Sequence, residues 1–278
     1  MRRPMATETL KTAGGDPERQ RKITERIRAN FDRGAGDYAR FEAKRAFFAA
    51  LTADLLALRP LPRGARVLDV GCGTGASLEG LAAAAAGTPP VGVDVSLGML
   101  RAARDRLGPG ALLVQGDGCR LDGLFRPAFD AVFYNAVLFM IPDGAGSLES
   151  ALRVLRPGGA VYASLLEGAC CFPDGETLPA MLSRRGLSVG THSPTPAGSA
   201  VEAMERLFRP VLKAVREVEM DRTVFLDFYG MEPMSAGLMP ALAFPERRAA
   251  LESFAGDHFG GGGRVVQRWL LAVGQKNV

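Results

Sequence analysis

Arg66-Val67-Leu68-Asp69-Val70-Gly71-Cys72-Gly73-Thr74-Gly75, running into an alanine-rich stretch that ends at Ala86, is the part of the chain on which the fold turns. The short apolar run Val67–Val70 reads as a strand, the glycines as a tight turn and the alanine-rich stretch as a helix. Glycines let the backbone come close to a ligand, and the helix that follows offers free amides and a partial positive charge to an anionic group. The loop by itself leaves the ligand open, because Gly71-x-Gly73-x-x-Ala76 also satisfies a dinucleotide-binding fingerprint.

The same strand–helix alternation continues outward. Val91-Gly92-Val93-Asp94 predicts a second strand ending in an acid, followed by a helix from Ser96 to about Leu107. Ala111–Gln115 predicts a third strand running into Asp117, and Phe129–Asn135 a fourth. A helix over roughly 147–155, the turn Arg156-Pro157-Gly158-Gly159 and a fifth strand over Gly159–Leu165 complete the series. Such alternation is the pattern of a parallel sheet covered on both faces. Upstream, apolar residues from Ile23 to Leu58 recur at helical spacing, which predicts two helices with a hinge at Gly34-Ala35-Gly36, ended by Pro60 and Pro62. Residues 1–20 lack apolar periodicity and contain Gly14-Gly15-Asp16-Pro17, so they read as a disordered basic tail. Downstream, a helix near 199–213, a strand over Ala214–Met220 and a final strand over Arg264–Val273 flank an insertion rich in methionine and aromatic residues.

Bulk properties narrow the class. With 278 residues and 47% hydrophobic composition, the chain can bury one large α/β core with a modest insertion. No apolar run is long enough for a membrane span and the start does not resemble a signal peptide, so a cytoplasmic protein is expected. Residues 1–33 hold nine Lys/Arg against five acids, a surplus equal to the net charge of +4 for the whole chain. The rest is neutral and lacks the basic face that nucleic-acid binding requires. Cys72, Cys119, Cys170 and Cys171 show no C-x-x-C spacing, and two histidines 66 residues apart give no ligand set, so no metal is expected.

Two acids and a turn decide between ligands that a third acid leaves open. Asp94 at the end of strand two suits both hydroxyls of a ribose, which nicotinamide dinucleotides and S-adenosylmethionine share. Asp69, just before the glycines, would oppose a pyrophosphate but favour a ligand carrying an ammonium and a sulfonium. Asp117 stands along the same edge, suitably placed for an adenine amino group. With Leu155-Arg156-Pro157-Gly158-Gly159 added, VLDVGCGTG, GVDVS, QGD, FDAVFYNAVLF and LRVLRPGGAVYASL resemble the successive motifs of class I S-adenosylmethionine-dependent methyltransferases over roughly residues 66–166.

This resemblance implies a Rossmann-like seven-stranded sheet of order 3-2-1-4-5-7-6 with helical lid segments. The implied organisation is a tail over 1–20, an N-terminal helical lid over 21–60, a core over 61–224, a helical insertion or substrate cap over 225–258, and a final strand over 259–278. It also implies S-adenosylmethionine as cofactor and methyl transfer to an O, C or N atom of a small molecule. A macromolecular methyltransferase is the alternative, with a NAD-dependent oxidoreductase or a binding protein without transferase activity behind it. Carried over residue by residue, it assigns Asp69 and the amides of Gly71, Gly73 and Gly75 to the methionine moiety, with Cys72 in the same loop. Asp94 and Val95 go to the ribose side, Asp117, Gly118 and Cys119 to the adenine edge, and Asn135 to the vicinity of the sulfonium. Asn30–Tyr38 resembles the lid of quinone C-methyltransferases, which adds Tyr38.

No catalytic residue can be named. In-line methyl displacement depends on positioning and water exclusion, and a base is needed only for a neutral hydroxyl or an ammonium acceptor. His192 and His258 lie in loop-like sequence and read as solvated. Tyr134 and Glu167 sit at strand ends facing the expected pocket, either as functional groups or as packing and capping residues. Cys170-Cys171 read as inert thiols. Phe225, Phe228, Tyr229, Met231, Met234, Leu238, Met239 and Phe244 could roof an apolar acceptor or simply pack helices.

Overall fold

The computed structural model describes residues 16–190 and 193–277. Eight strands form one sheet: β1 (Val67–Val70), β2 (Val91–Asp94), β3 (Leu112–Gln115), β4 (Phe129–Asn135), β5 (Leu155–Phe172), β6 (Glu176–Thr177), β7 (Val211–Met220) and β8 (Arg264–Gln275). Their order is β3-β2-β1-β4-β5-β8-β7, with β6 paired only to β5. Setting aside the two-residue β6, this is the expected 3-2-1-4-5-7-6, so the expected seven strands become eight. β3, β2, β1, β4 and β5 run parallel, whereas β8 is antiparallel to both β5 and β7.

Among the described residues the helices are α1 (Pro17–Arg45), α2 (Phe47–Leu58), α3 (Ala76–Ala84), α4 (Leu97–Leu107), α5 (Leu121–Leu124), α6 (Gly144–Val154), α7 (Leu178–Arg184), α8 (Ala197–Leu207), α9 (Arg222–Tyr229), α10 (Glu232–Leu238) and α11 (Phe244–Gly260). Side chains alternate across the sheet, giving a core on each face. Phe133 and Tyr162 stack at 4.2 Å in the cluster that holds Phe41, Phe47, Trp269 and the α9 and α11 residues Phe225 and Phe254. Their neighbours Tyr134 and Val161 face the other cluster, with Leu148 of α6 and Met204 of α8.

Two expectations about the amino-terminal region are corrected. The tail expected over 1–20 lies outside the described residues up to 15, but Pro17–Gln20 are helical. Asp16 starts α1 by accepting from the Glu18 amide, and Pro17 occupies the first turn, where its missing N–H costs nothing. The expected hinge at Gly34-Ala35-Gly36 is instead the interior of one 29-residue helix. Gly34 is used for packing, since a Cβ there would stand 2.3 Å from Cδ of Pro233 in α10. The bend falls at Ala46, which adopts φ 47° between α1 and α2. Buried Glu42 holds this elbow by accepting from the amides of Phe48 (3.0 Å) and Ala49 (2.9 Å), capping α2 from the preceding helix. Desolvation raises the Glu42 carboxyl above its ordinary range despite these bonds.

Between β7 and β8 the chain forms α9, α10 and α11, within Arg222–Gly260. β5 is longer than expected: it continues past Ser164, where its pairing with β4 ends, and stays paired with β8 as far as Phe172. No helix of the described residues is long and apolar enough to cross a membrane.

Candidate active site

The parallel strands all point their carboxyl ends to one edge, where an α/β sheet of this kind presents its ligand crevice. A cleft opens there, lined by Val70 and Gly71 after β1, Asp94 and Val95 after β2, Gly116–Gly118 after β3, and Asn135–Val137 with Met140–Pro142 after β4. Thr24, Ile27, Phe31 and Tyr38 of α1 close it from above. The space, open solvent included, is about 730 Å³.

Asp94 is set by the backbone. Its Oδ2 accepts from the Gly73 amide at 2.9 Å and its Oδ1 from the Ser96 amide at 2.8 Å. Burial nevertheless raises its pKa to about 6, and the nearby Asp32 carboxylate adds to the shift. Asp69 is different. It is 1% exposed, and neither carboxylate oxygen has a protein partner. Desolvation, reinforced by Asp94, holds its pKa well above the usual carboxylate range. Asp69 is not itself in the cleft wall, but the next two residues, Val70 and Gly71, are. A buried carboxylate without a donor is costly, so the arrangement suits a ligand that brings a cation or N–H donors to this spot.

Asp117 lines the cleft and uses one oxygen to accept from the Cys119 amide at 2.9 Å. Gly118 adds backbone to the same wall. Tyr38 stacks on Phe48 at 4.9 Å, and burial with three nearby acids pushes its phenol well above the ordinary range. It is therefore a neutral hydroxyl facing the cleft.

Four of the expected groups are already engaged within the chain. All three glycine amides are used within the chain: Gly71 donates to Val93 O (2.7 Å), Gly73 to Asp94 and Gly75 to Cys72 O (3.0 Å). The loop thus positions carboxylates and leaves room for a ligand, and these amides are not available to cradle one. Cys72 is buried with Leu78, Leu100 and Ala111, away from the cleft, and its thiol pKa is raised by burial. The Cys119 thiol, pushed up to about 12, sits 3.8 Å from the Asp143 carbonyl oxygen, and its amide is already used by Asp117. Asn135 reaches the cleft, but its side-chain amide is fully engaged. Nδ2, with two hydrogens to donate, lies 2.8–2.9 Å from Phe48 O, Thr52 Oγ1 and Ser77 Oγ, and Oδ1 accepts from Ser164 Oγ at 2.5 Å. It ties α2, α3, β4 and β5 together behind the ligand space.

Other candidates fall away from the cleft. Tyr134 is fully buried and bonded to Ser147, and Glu167 pairs with Arg268 at 2.7 Å on the surface. His258 stacks on Phe254 and meets the Arg264 carbonyl at 3.1 Å, while His192 lies outside the described residues. The Cys171 thiol is buried and pushed up to about 12, and Cys170 points to the opposite face of β5. The insertion is not a roof: Phe225, Phe228, Tyr229, Met231 and Met239 are buried in the core, and none lines the cleft. Residues that sequence reasoning missed are Thr24, Ile27 and Phe31, whose i, i+3, i+7 spacing on α1 was the available signal, and Ser96, which supports Asp94.

Gly71 has φ +66°, and a Cβ on it would lie 2.3 Å from Cγ2 of Val137 across the cleft floor. Gly71→Ala is therefore expected to cost about 3 kcal/mol of stability, combining left-handed strain with overpacking. Denaturant unfolding checks this, and an unchanged midpoint would show that the loop can relax.

Residues 68–163 match the family model described as a methyltransferase domain. The sheet order is that of the class I, Rossmann-like methyltransferase fold. Trans-aconitate 2-methyltransferase of Methylobacterium nodulans is 42% identical over 130 residues, covering 47% of this chain and 48% of the relative. Demethylmenaquinone methyltransferase of a Parafrankia species is 41% identical over 132 residues, covering 40% and 48%. The chain thus spans about half the length of the curated relatives it matches. Phosphoethanolamine N-methyltransferase 2 of Haemonchus contortus, solved with S-adenosyl-L-methionine, superimposes with a TM-score of 0.55 at 18% identity, over 89% of this chain and 57% of that one. At that identity the likeness is one of fold.

Proposed function

We propose that the protein is an S-adenosylmethionine-dependent methyltransferase acting on a small-molecule acceptor. One observation carries this reading: the cleft wall holds a pre-set carboxylate, Asp94, and just behind it, next to the wall residues Val70 and Gly71, lies a buried carboxylate without a donor, Asp69, around a loop whose glycine amides are already used. A pyrophosphate needs those amides free and is repelled by Asp69. A ligand with a ribose diol at one end and an ammonium at the other satisfies both acids. In this reading Asp94 holds the ribose hydroxyls, Asp69 the ammonium end and Asp117 with Gly118 the adenine edge, and the Tyr38 hydroxyl is available to the methionine end.

S-adenosylmethionine, when bound, supplies an electrophilic methyl group on a positively charged sulfur. The contribution of the chain is to hold donor and acceptor in line and to keep water out. Ile27, Phe31 and Tyr38 on α1 provide the apolar cover. No histidine of the described residues reaches the cleft, which favours an acceptor that is already nucleophilic at neutral pH, such as a carboxylate or an activated carbon. The names of the relatives, for a tricarboxylate and for a quinone, fit such acceptors.

Isothermal titration with S-adenosylmethionine and with NAD tests the donor, and transfer of labelled methyl to a panel of unsaturated carboxylates and demethylated quinols tests the acceptor. Binding of the first ligand alone and label in a small molecule are expected. Tight NAD binding would overturn the reading, and label found only in RNA or protein would replace the small-molecule acceptor with a macromolecular one.

A further inference from the structure

Asp32 lies on α1 and does not line the cleft, yet it is bonded to the helix that supports Asp94. Its Oδ1 accepts from Ser96 Oγ at 2.7 Å and from the Gly98 amide at 2.9 Å. Ser96 is fully buried and faces both ways: its amide donates to Asp94, and its hydroxyl donates to Asp32 while accepting from the Met99 amide. The first turn of α4 therefore carries the ribose-side carboxylate on one side and the overlying helix on the other. The contact is close. A Cβ on Gly98 would stand 2.9 Å from the carbonyl oxygen of Asp32 and 3.0 Å from its Cα, so α1 can seat only against a residue without a side chain.

We propose that Asp32 is a positioning residue that latches α1 over the cleft, so that binding of S-adenosylmethionine and closure of α1 strengthen each other. This rests on the reading of the cleft as the S-adenosylmethionine site. The latch consists of charge-assisted bonds to orphan groups at a helix start, where a carboxylate is favoured by the helix dipole as well. Thr24 and Ile27, one to two turns before Asp32, Phe31, its immediate neighbour, and Tyr38, after it, line the cleft. A ligand beneath them adds contacts that exist only while α1 is seated, and that difference between the two states is what shifts the equilibrium. Ligand hydroxyls on Asp94 also relieve the repulsion between two carboxylates that share one serine. By linkage, loosening the latch must weaken the ligand by the factor with which the ligand strengthens the latch.

Two unrelated changes attack it. Asp32→Ala removes the acceptor, and Gly98→Ala wedges the helices apart while keeping every polar group. Asp32→Asn keeps an acceptor without the charge. The full chain is compared by stopped-flow dissociation of S-adenosylmethionine and by hydrogen exchange of residues 24–38, with and without the ligand. The alanine variants are expected to release the ligand about tenfold faster and to exchange faster over 24–38, with Asp32→Asn between them and wild type. Dissociation and exchange like wild type in both alanine variants would overturn the latch while leaving the donor site standing. If wild type binds no S-adenosylmethionine, the functional reading fails, and exchange in the ligand-free proteins still decides the latch: faster exchange in both variants supports it and unchanged exchange overturns it.

Discussion

Asp94→Ala is expected to weaken S-adenosylmethionine binding about 100-fold. A carboxylate accepting from two ribose hydroxyls makes charge-assisted bonds, each worth roughly 1.5–3 kcal/mol before relaxation, and a loss near 3 kcal/mol in total corresponds to two orders of magnitude. The pH dependence gives an independent check. The pKa of Asp94 in the free protein is raised to about 6, and donors from the ligand favour its charged form. Affinity should therefore be high and flat above pH 7, fall as pH drops through about 6, and be accompanied there by proton release on binding. Calorimetry in two buffers of different ionisation enthalpy measures both. In Asp94→Ala this limb should be lost, and an unchanged affinity would remove Asp94 from the site.

The second large effect has opposite signs in binding and in stability. Asp69 is buried without a donor, and its folded-state pKa lies well above the ordinary value that applies when the chain is unfolded. A raised carboxylate pKa means that the folded state binds the proton more tightly, so this group destabilises the fold increasingly as pH rises above about 4. Asp69→Asn removes that penalty. It should raise Tm at pH 8 by about 3 °C or more, with little gain near pH 4. The same change leaves a buried ammonium of the ligand without its counter-charge, so affinity for S-adenosylmethionine should fall by about one to two orders of magnitude. Thermal melts at the two pH values, beside titrations, separate the effects. A lower Tm at pH 8 together with weaker binding would mark Asp69 as a structural residue.

The sheet was legible because parallel strands buried on both faces appear as short apolar runs: VLDV, VGVD and FDAVFYN stand out from the helical stretches between them. The acids of the cleft were legible for the same reason, since each ends such a run. What the backbone does around them was not. Nothing in the residue types says that the Gly73 amide is used on Asp94 or that of Gly71 on Val93. The elbow at Ala46 has neither glycine nor proline to mark it, because it is held by a side chain four residues earlier, Glu42. Gly34 was misread because a glycine needed for close packing against Pro233 looks, in sequence, like a glycine needed for bending. The methionine and aromatic content of the insertion was ambiguous in a similar way. An apolar roof and an apolar core have the same composition, and only the burial of Phe225, Phe228 and Met239 separates them.

The paired extension of β5 and β8 has a mechanical consequence. Beyond Ser164, where β4 ends, eight residues of β5 continue to Phe172 with β8 alongside, a projection of about 25 Å at the rise of an extended chain. α7 follows this projection through the short strand β6, and α9, α10 and α11 join β7 to β8. The insertion is thus carried as a cantilever by the sheet whose edge forms the cleft, while α1 rests on its neighbours through side-chain contacts, Asp32 on α4, Arg33 and Gly34 on α10 and Phe41 on Phe228 of α9. Bending a hydrogen-bonded ribbon is harder than lifting a helix, so the compliance of the molecule is concentrated on one side of the cleft. Substitutions on α9–α11 that leave the contacts with α1 intact should then leave the geometry of Asp69 and Asp94 unchanged, and their effects should add to those of cleft mutations as independent sites do.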